Sequence, residues 1–234
     1  IKSLKYKKTR DELNLFLVEG LKGILELNDS KYQVEFTVIS KEIFNSYKKK
    51  LPKQNLHILE KDEINKFSLL KNNKVGFCVV RSIYDKFSFQ KLENITLALD
   101  SLNDPGNLGT IIRTADWYGI KNIICSKNSV DIYNPKVIQS SMGSFSRVNV
   151  FYEDLDEVFK DNIKVIGTTS NQMMKNDFSK IKRGIILFGN ESRGINKKLE
   201  KHINQWISIK KIGNAESLNV SVSCGIILNK LFGS

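Results

Sequence analysis

The sequence ITLALDSLNDPGNLGTIIRTADWYGIKNIIC, residues 95–125, contains a strand, a helix and a second strand in succession. Its apolar runs at 95–99 and 122–125 have the length and composition of buried strands. Further apolar runs follow along the chain, at residues 148–151, 164–168, 184–188 and 206–209. Because strands that alternate with helix-length segments are typical of βαβ units, the sequence predicts an α/β fold with a mostly parallel sheet.

The helix in this stretch is amphipathic. At about 100° per residue, one side carries an apolar stripe that consists of Leu108, Ile111, Ile112, Ala115 and Tyr118. Arg113 points nearly the opposite way, with Trp117 one turn further on. We expect Asn107 to cap this helix and Gly119 to end it. A solvated arginine explains Arg113, but a large aromatic residue on a polar helix face usually indicates a covering partner.

The preceding part of the chain has a different pattern. Residues 11–27 carry apolar side chains at helical spacing and predict one helix. Strands are predicted from the β-rich runs at residues 34–39, 56–59 and 75–80. A polar stretch at 87–94 is the expected linker, so we predict a small basic domain at 1–92 and a larger α/β domain at 93–234.

The charge is strongly positive and unevenly distributed. The 234 residues include 37 Lys and Arg against 25 Asp and Glu, a formal net charge of +12. Residues 1–92 hold +8 of this excess, with 19 basic and 11 acidic side chains. A polyanion such as nucleic acid is the natural partner, because each neutralised phosphate releases a condensed counterion. A lysine-rich surface that reflects biased composition alone is the other interpretation.

Missing patterns exclude several classes of protein. Neither G-x-G-x-x-G, nor G-x-x-x-x-G-K-[ST], nor G-x-S-x-G occurs, which argues against a dinucleotide-binding fold, a P-loop NTPase and an α/β-hydrolase. Two histidines and three separated cysteines leave little for a metal site. No apolar run approaches the roughly 18 residues that span a bilayer, and no signal-peptide core follows the basic start. We expect a reduced cytoplasmic protein, with a trimmed N-terminus because Ile1 stands in place of Met.

Two further segments have features of a ligand site. GIILFGNESRG, residues 184–194, passes from an apolar strand into Gly189, where a glycine allows a sharp turn or a close approach to a ligand. GNAESLNVSVSCGIIL, residues 213–228, is expected to form a helix that Ser217 caps, with Asn219 in its first turn. An ordinary turn and a capped helix explain much of both segments but leave Asn219 without a role.

Together, these segments resemble the three motifs of the SpoU-type (TrmH-like) RNA 2′-O-ribose methyltransferases of the SPOUT superfamily. The matching pieces are N-x-x-x-x-x-R at 107–113, G-N-E-x-R-G at 189–194 and E-S-L-N-V at 216–220. The resemblance covers roughly residues 95–234, and Ser192 stands where the family often has glycine. The leading segment, KKTRDELNLFLVEGLKGI, also resembles the small substrate-binding domain that precedes the catalytic domain in many members.

The resemblance implies a parallel-sheet catalytic domain with a C-terminal trefoil knot, preceded by a small α/β RNA-binding domain. It implies a pocket for S-adenosylmethionine formed by Thr168, Gly189, Asn190, Ile209 and Leu218. The implied catalytic set is Asn107, Arg113, Glu191, Ser217 and Asn219, in which Arg113 acts as base or as electrostatic stabiliser. For phosphate contacts we expect the N-terminal basic residues Lys7, Lys8 and Arg10.

The implied function is S-adenosylmethionine-dependent methylation, of EC class 2.1.1, of a ribose 2′-hydroxyl in structured RNA. Ribosomal RNA is the preferred substrate, because the leading domain resembles a ribosome-type RNA binder. The alternatives are a tRNA 2′-O-methyltransferase, a knotted enzyme that methylates a base, and a catalytically silent RNA-binding or ribosome-assembly protein. Members are homodimers packed through the knotted region, so a second subunit is a possible contributor to the site; neither a metal nor a membrane is implied.

Overall fold

Strands and helices alternate along most of the chain. The computed structural model describes residues 1–92, 94–160, 163–171, 178 and 180–233. The strands are β1 (Leu15–Glu19), β2 (Val34–Ser40), β3 (Leu56–Leu59), β4 (Gly76–Arg81), β5 (Ile95–Leu99), β6 (Asn122–Ser126), β7 (Asn149–Glu153), β8 (Val165–Thr169), β9 (Gly184–Phe188) and β10 (Ile203–Ser208). The α-helices are α1 (Lys7–Leu13), α2 (Leu21–Glu26), α3 (Lys41–Tyr47), α4 (Lys61–Phe67), α5 (Pro105–Trp117), α6 (Pro135–Ser140), α7 (Leu155–Val158), α8 (Lys197–Glu200) and α9 (Val220–Phe232).

The first of two structural units comprises Ile1–Tyr84 and Asp131–Arg147. Its sheet has the strand order β1-β4-β2-β3. Strand β4 runs antiparallel to both β1 and β2, and the edge strand β3 runs parallel to β2. Every strand predicted from an apolar run in this part of the chain is confirmed.

The single helix predicted over residues 11–27 is wrong. The end of α1, strand β1 and helix α2 occupy this stretch instead. Phe16, Leu17 and Val18 are all buried, and consecutive apolar side chains are covered on the two faces of a strand rather than along one side of a helix. The pairing of β1 with β4 therefore overrides the helical spacing of the apolar residues.

Residues 131–147 pack in the first unit, although the sequence prediction places them in the second domain. The Arg10 guanidinium donates a hydrogen bond from Nη2 to Oδ2 of Asp131 at 2.6 Å. The rings of Phe16 and Tyr133 lie 4.4 Å apart. The sequence prediction divided the chain at one point, so it missed the contact between Arg10 and Asp131, which lie 121 positions apart. As a division of function, the predicted domains 1–92 and 93–234 stay a prediction.

The second unit comprises Asp85–Val130 and Val148–Ser234. Its six strands have the order β10-β8-β9-β5-β6-β7, and the neighbouring pairs are parallel. The predicted α/β fold with a parallel sheet is thereby confirmed. Because the carboxyl ends of parallel strands meet at one edge of a sheet, the loops that follow β5 and β9 lie side by side. Within the predicted linker at 87–94, Phe87 packs 5.7 Å from the ring of Phe151, whereas residue 93 lies outside the described part.

Two helix starts differ from the prediction. Asp104, not Asn107, caps α5, because its Oδ1 accepts a hydrogen bond from the backbone N–H of Asn107 at 2.8 Å. Asn219, not Ser217, caps α9, with Oδ1 as the acceptor of a backbone N–H in the first turn at 2.9 Å. Apolar periodicity locates a helix but not its first turn, since the cap is decided by local hydrogen bonds.

The body of α5 agrees with the prediction. Its buried stripe consists of Leu108, Ile111, Ile112 and Ala115. The helix ends at Trp117, and Gly119 follows with a φ of +74°, a left-handed conformation that favours glycine. This arrangement leaves Arg113 and Trp117 on the exposed side.

Among the described residues, no helix combines the length and the apolar character that a membrane crossing requires. The same residues contain no group of three or more His, Cys, Asp or Glu side chains arranged to hold a metal ion.

Candidate active site

Side chains from the three sequence motifs form one hydrogen-bonded chain in the second unit. Nδ2 of Asn107 donates to Oε1 of Glu191 at 2.9 Å. Oδ1 of Asn107 accepts a hydrogen bond from Nδ2 of Asn219 at 2.9 Å. The amide of Asn107 therefore uses both its donor and its acceptor side, which fixes its orientation. The cap of α9 also gives Asn219 the role that the sequence left open.

The GNESRG segment is a closed turn at the end of β9. Asn190 and Gly194 exchange two backbone hydrogen bonds, at 3.0 and 2.9 Å. A Cβ on Gly189 would lie 2.2 Å from the backbone of Gly194, so only glycine lets the turn fold back over the strand end. The turn holds Glu191 beside Asn107.

A buried carboxylate that the sequence analysis missed ties the two neighbouring loops together. Asp100 directly follows β5 and is 5% exposed. Its Oδ2 accepts from the backbone N–H of Asn196 at 2.8 Å, and its Oδ1 accepts from the Ser101 hydroxyl at 2.9 Å. Asn190 adds a bond from Nδ2 to the carbonyl oxygen of Ser101 at 2.8 Å. An aspartate directly after a buried strand was the signal that could have identified it.

One cavity of about 800 Å³ lies against the GNESRG turn. All the residues predicted to bind the cofactor line it, namely Thr168, Gly189, Asn190, Ile209 and Leu218. Glu191 and Ser217 of the predicted catalytic set line it as well. The structure therefore brings together seven of the predicted residues around one space.

The lining and size of this first cavity fit S-adenosylmethionine. Its volume is in the range of small-molecule and cofactor pockets. Phe188, Ile195 and Ile227 supply apolar surface for a purine ring, while the carboxylates of Glu191 and Glu216 favour the positive charges of a sulfonium and an ammonium group. The lining residues therefore suit a cofactor that carries positive charge and a purine ring.

A second, more polar cavity of about 1080 Å³ adjoins the first. Its lining includes Asn103, Asp104, Asn107 and Asn219. The two cavities share the wall formed by residues 190–195. Two adjoining binding spaces can hold two molecules next to each other, which a group transfer between them requires.

Residues 94–229 match the family model described as the SpoU rRNA Methylase family. The chain belongs to this family. Residues 1–74 match the MRM3-like substrate binding domain. The resemblance found in the sequence is confirmed, and with it the predicted enzyme class, a methyltransferase that acts on RNA.

Relatives of this SpoU-family methyltransferase span its whole length. It is 28% identical over 242 residues to the 23S rRNA (guanosine(2553)-2′-O)-methyltransferase RlmP of Bacillus subtilis strain 168, which covers 99% of this chain and 94% of RlmP. A TrmH-family protein from Porphyromonas gingivalis has a TM-score of 0.85 at 26% identity, covering 98% of this chain and 94% of that one. The SpoU methyltransferase AviRb from Streptomyces viridochromogenes, in complex with S-adenosylmethionine, has a TM-score of 0.84 at 22% identity, covering 99% and 95%. AviRb therefore shares the fold and carries the cofactor predicted here.

Arg113 stands apart from the other predicted catalytic residues of this SpoU methyltransferase. It is exposed on α5 and lines neither cavity. In the part of the chain that the structure describes, its guanidinium forms no hydrogen bond or ion pair. Trp117, one turn along the same face, is 84% exposed. A single copy of the chain thus brings Asn107, Glu191 and Asn219 together but leaves Arg113 outside.

The residues predicted to contact RNA phosphates differ in their exposure to solvent. Lys7 and Lys8 are exposed on α1, where each faces an acidic residue one turn on, with N–O distances of 2.7 and 3.9 Å. Arg10 is only 1% exposed, and its guanidinium bonds Asp131 and the carbonyl oxygen of Leu4. The prediction for Arg10 is corrected, because a guanidinium held inside the first unit does not reach a phosphate.

The environment of the cysteines in this methyltransferase is unfavourable for a nucleophile. All three are free and buried. Burial raises the pKa of Cys78 and of Cys224 to about 12, and it raises the pKa of Cys125 further. Buried thiols with raised pKa values stay protonated at neutral pH, which makes them poor nucleophiles.

Proposed function

We propose that this chain transfers a methyl group from S-adenosylmethionine to the 2′-hydroxyl of a ribose in structured RNA, with ribosomal RNA as the target. The carrying observation is that a cofactor-sized cavity adjoins a polar one, with residues 190–195 in the lining of both. RlmP, a 23S rRNA 2′-O-methyltransferase, supports both the ribose position and the ribosomal substrate. In the proposed division of function, residues 1–92 bind RNA and residues 93–234 catalyse the transfer.

The first cavity holds the cofactor in this proposal. S-adenosylmethionine supplies the electrophilic methyl group when it is bound. Gly189, Ile209 and Leu218 bind the cofactor through their backbone. Thr168, near the end of β8, lines the same cavity. The Thr168 hydroxyl is already oriented, because it donates to the carbonyl oxygen of Leu187 at 3.0 Å.

The polar cavity holds the ribose. Asn107 and Glu191 orient the sugar from the shared wall, and Asn219 keeps the Asn107 amide in place. Ser217, exposed in the first cavity, positions the nucleotide or the loop that carries it. Positioning two reactants in line is a large part of the catalysis of such a displacement.

Arg113 stabilises the reacting oxygen. The ribose oxygen forms a bond to the methyl carbon as the carbon–sulfur bond breaks, and the hydroxyl proton passes to solvent. A guanidinium stays protonated in proteins and is therefore a poor base, so Arg113 acts by stabilising the negative charge that develops on oxygen. The competing assignment, a transiently neutral Arg113 that takes the proton, requires desolvation beside the cofactor's positive charge.

A homodimer completes the site. Arg113 lines neither cavity of its own chain, and the neighbouring Trp117 is an exposed large aromatic residue, the kind of surface that a partner covers. Helix α9 packs against α5, and the rings of Tyr118 and Phe232 stack there with centroids 5.7 Å apart. We therefore place the second copy against α5 and α9, with Arg113 of one copy directed to the cavities of the other.

Two further parts of the proposal concern topology and location. The C-terminal segment is threaded as a trefoil knot, which is supported by the family and by the loops at 190–195 and 209–218 that line one cavity. The protein works in the cytoplasm, which is supported by its free buried thiols and by a ribosomal substrate.

The proposed function is tested with purified protein, tritiated S-adenosylmethionine and unmodified ribosomal RNA transcribed in vitro. We expect label in the RNA, at a position that becomes resistant to alkaline cleavage because its 2′-oxygen is blocked. Label on a base, or on tRNA in preference to ribosomal RNA, would contradict the proposal. Binding of both ligands without any transfer would show a silent RNA-binding protein instead.

A further inference from the structure

The loop between α3 and β3 carries an uncompensated cluster of positive charge. Lys48, Lys49, Lys50 and Lys53 are all exposed. No Asp or Glu occurs in the sequence between Glu42 and Glu60. Over the residues that the structure describes, none of the four lysines forms an ion pair. We name this segment, residues 48–53, the lysine loop.

In contrast to the lysine loop, the positive charges of α1 are compensated by neighbouring carboxylates. Lys7 pairs with Asp11 at 2.7 Å, and this contact lowers the pKa of the Asp11 carboxyl. Lys8 faces Glu12, and Arg10 is buried against Asp131. Each basic side chain there has its own carboxylate, so α1 offers a polyanion little net charge.

The lysine loop is also anchored to the first unit. Leu51 and Pro52 are buried between the exposed lysines. The backbone N–H of Lys50 donates to the carbonyl oxygen of Tyr47 at 2.8 Å, and Nδ2 of Asn55 donates to the carbonyl oxygen of Glu35 at 2.8 Å. An anchored backbone lowers the cost of ordering the loop itself on binding.

We propose that the lysine loop, rather than α1, is the phosphate-contacting surface of the first unit, and that its partner is the RNA substrate. The inference rests on the proposed function, since it takes RNA as the ligand. RNA is favoured over an acidic protein because residues 1–74 match a substrate binding domain in a chain of the SpoU rRNA Methylase family. Repeated point charges on an edge of the sheet suit a phosphate backbone, which has a regular charge spacing.

The test compares two variants of the full chain with equal net charge. The first carries Lys49→Ala, Lys50→Ala and Lys53→Ala, and keeps Lys48, whose Nζ lies 5.4 Å from the Phe44 ring centroid. The control carries Lys7→Ala, Lys8→Ala and Lys61→Ala, which removes three exposed lysines that pair with carboxylates. The affinity of each protein for a fluorescein-labelled 23S rRNA transcript is measured by anisotropy between about 50 and 200 mM KCl.

For the lysine-loop variant we expect about tenfold or greater weakening, and a slope of log affinity against log salt that is smaller by about 2 to 3. The control should change the slope by less than about 1. Arginine at the same three loop positions should restore the wild-type slope, because it restores charge rather than a particular packing.

Equal losses in both variants would overturn the inference, since only net charge would then matter. A loss confined to the control would overturn it as well and would return the contact to α1. Tritium transfer by the wild-type protein, measured in parallel, tests the proposed function separately. If the wild type transfers no label, the proposed function fails, while the two salt slopes still decide where RNA binds.

Discussion

Asn107 and Glu191 lie 84 positions apart in the sequence and share a hydrogen bond of 2.9 Å between Nδ2 and Oε1. This bond joins the helix that follows β5 to the turn that follows β9. It lies beside the residues that line both cavities, where we propose that the two reactants meet. The Asn107 amide, whose other side is held by Asn219, is therefore one of the groups that align the two loops.

Asn107→Ala should lower kcat for methyl transfer by about 100-fold, because misplacement of positioning groups by small distances costs that much. Cofactor affinity, measured by calorimetry, should change little, since Asn107 lines only the polar cavity. The control is Thr110→Ala on the same helix, whose hydroxyl donates only to the carbonyl oxygen of Gly106. Wild-type turnover in Asn107→Ala would remove the hydrogen-bonded chain from the mechanism.

Asp100→Asn should lower both stability and kcat. Asparagine replaces one of the two accepting carboxylate oxygens with an NH2 donor, and a buried group left unsatisfied costs about 1–3 kcal/mol. As a positioning residue, Asp100 should affect kcat more than the KM for RNA, measured well below the unfolding temperature. A destabilised variant with unchanged kcat would mean that Asp100 supports only the fold.

Arg113→Ala should abolish transfer, while the affinity for S-adenosylmethionine, measured by calorimetry, is retained. Lys121→Ala, which removes an exposed charge just beyond α5, serves as the control. Arg113→Lys then separates the two roles by pH. If the charge stabilises the oxygen, the rate falls as the lysine loses its proton near pH 10; if residue 113 is the base, the rate rises over the same range.

Arg10→Met should destabilise the protein by about 3–5 kcal/mol, because it leaves the Asp131 carboxylate buried without its cation. Urea unfolding measures the loss. Lys7→Ala removes an exposed pair and should cost less than about 1 kcal/mol. Similar values for the two variants would show that the Arg10–Asp131 pair does not hold residues 131–147 in the first unit.

The thiols should be inert in the folded protein. Burial raises the pKa of Cys78 and of Cys224 to about 12 and also raises that of Cys125, so little reactive thiolate is present at pH 8. A disulfide reagent should release no chromophore over minutes from the native protein and three equivalents in guanidinium chloride. Rapid native labelling would mean that the segments around Cys78, Cys125 and Cys224 open readily.

The sequence predicted the strands well and the helix starts poorly. Short apolar runs identified every strand of the parallel sheet, because strands in such sheets consist largely of apolar residues. In residues 11–27, the helical spacing of the leucines predicted a helix and missed β1. This strand is stabilised by its pairing with β4, which is a long-range contact. The caps at Asp104 and Asn219 were missed because several neighbouring polar residues were equally able to cap.

The motifs located the cofactor-sized cavity, but they did not indicate which polar side chains are buried and hydrogen-bonded. All the residues chosen for cofactor binding line one space, since their motifs follow neighbouring strand ends. Asp100 was overlooked because its position directly after a buried strand suggests a ligand-facing loop, but only the folded structure shows that the carboxylate is buried. Arg10 was assigned to RNA for the converse reason, as a basic cluster in sequence does not reveal which member is buried.

From the amino-acid sequence alone came the α/β class, the parallel strands and the three motifs that define the family, because these depend on local residue types and spacing. Tertiary structure alone decided that Asn107 joins Glu191 to Asn219, that residues 131–147 pack with Arg10, and that Arg113 remains outside both cavities. Burial and hydrogen-bond partners are properties of residues far apart in the chain, and they exist only once the chain has folded.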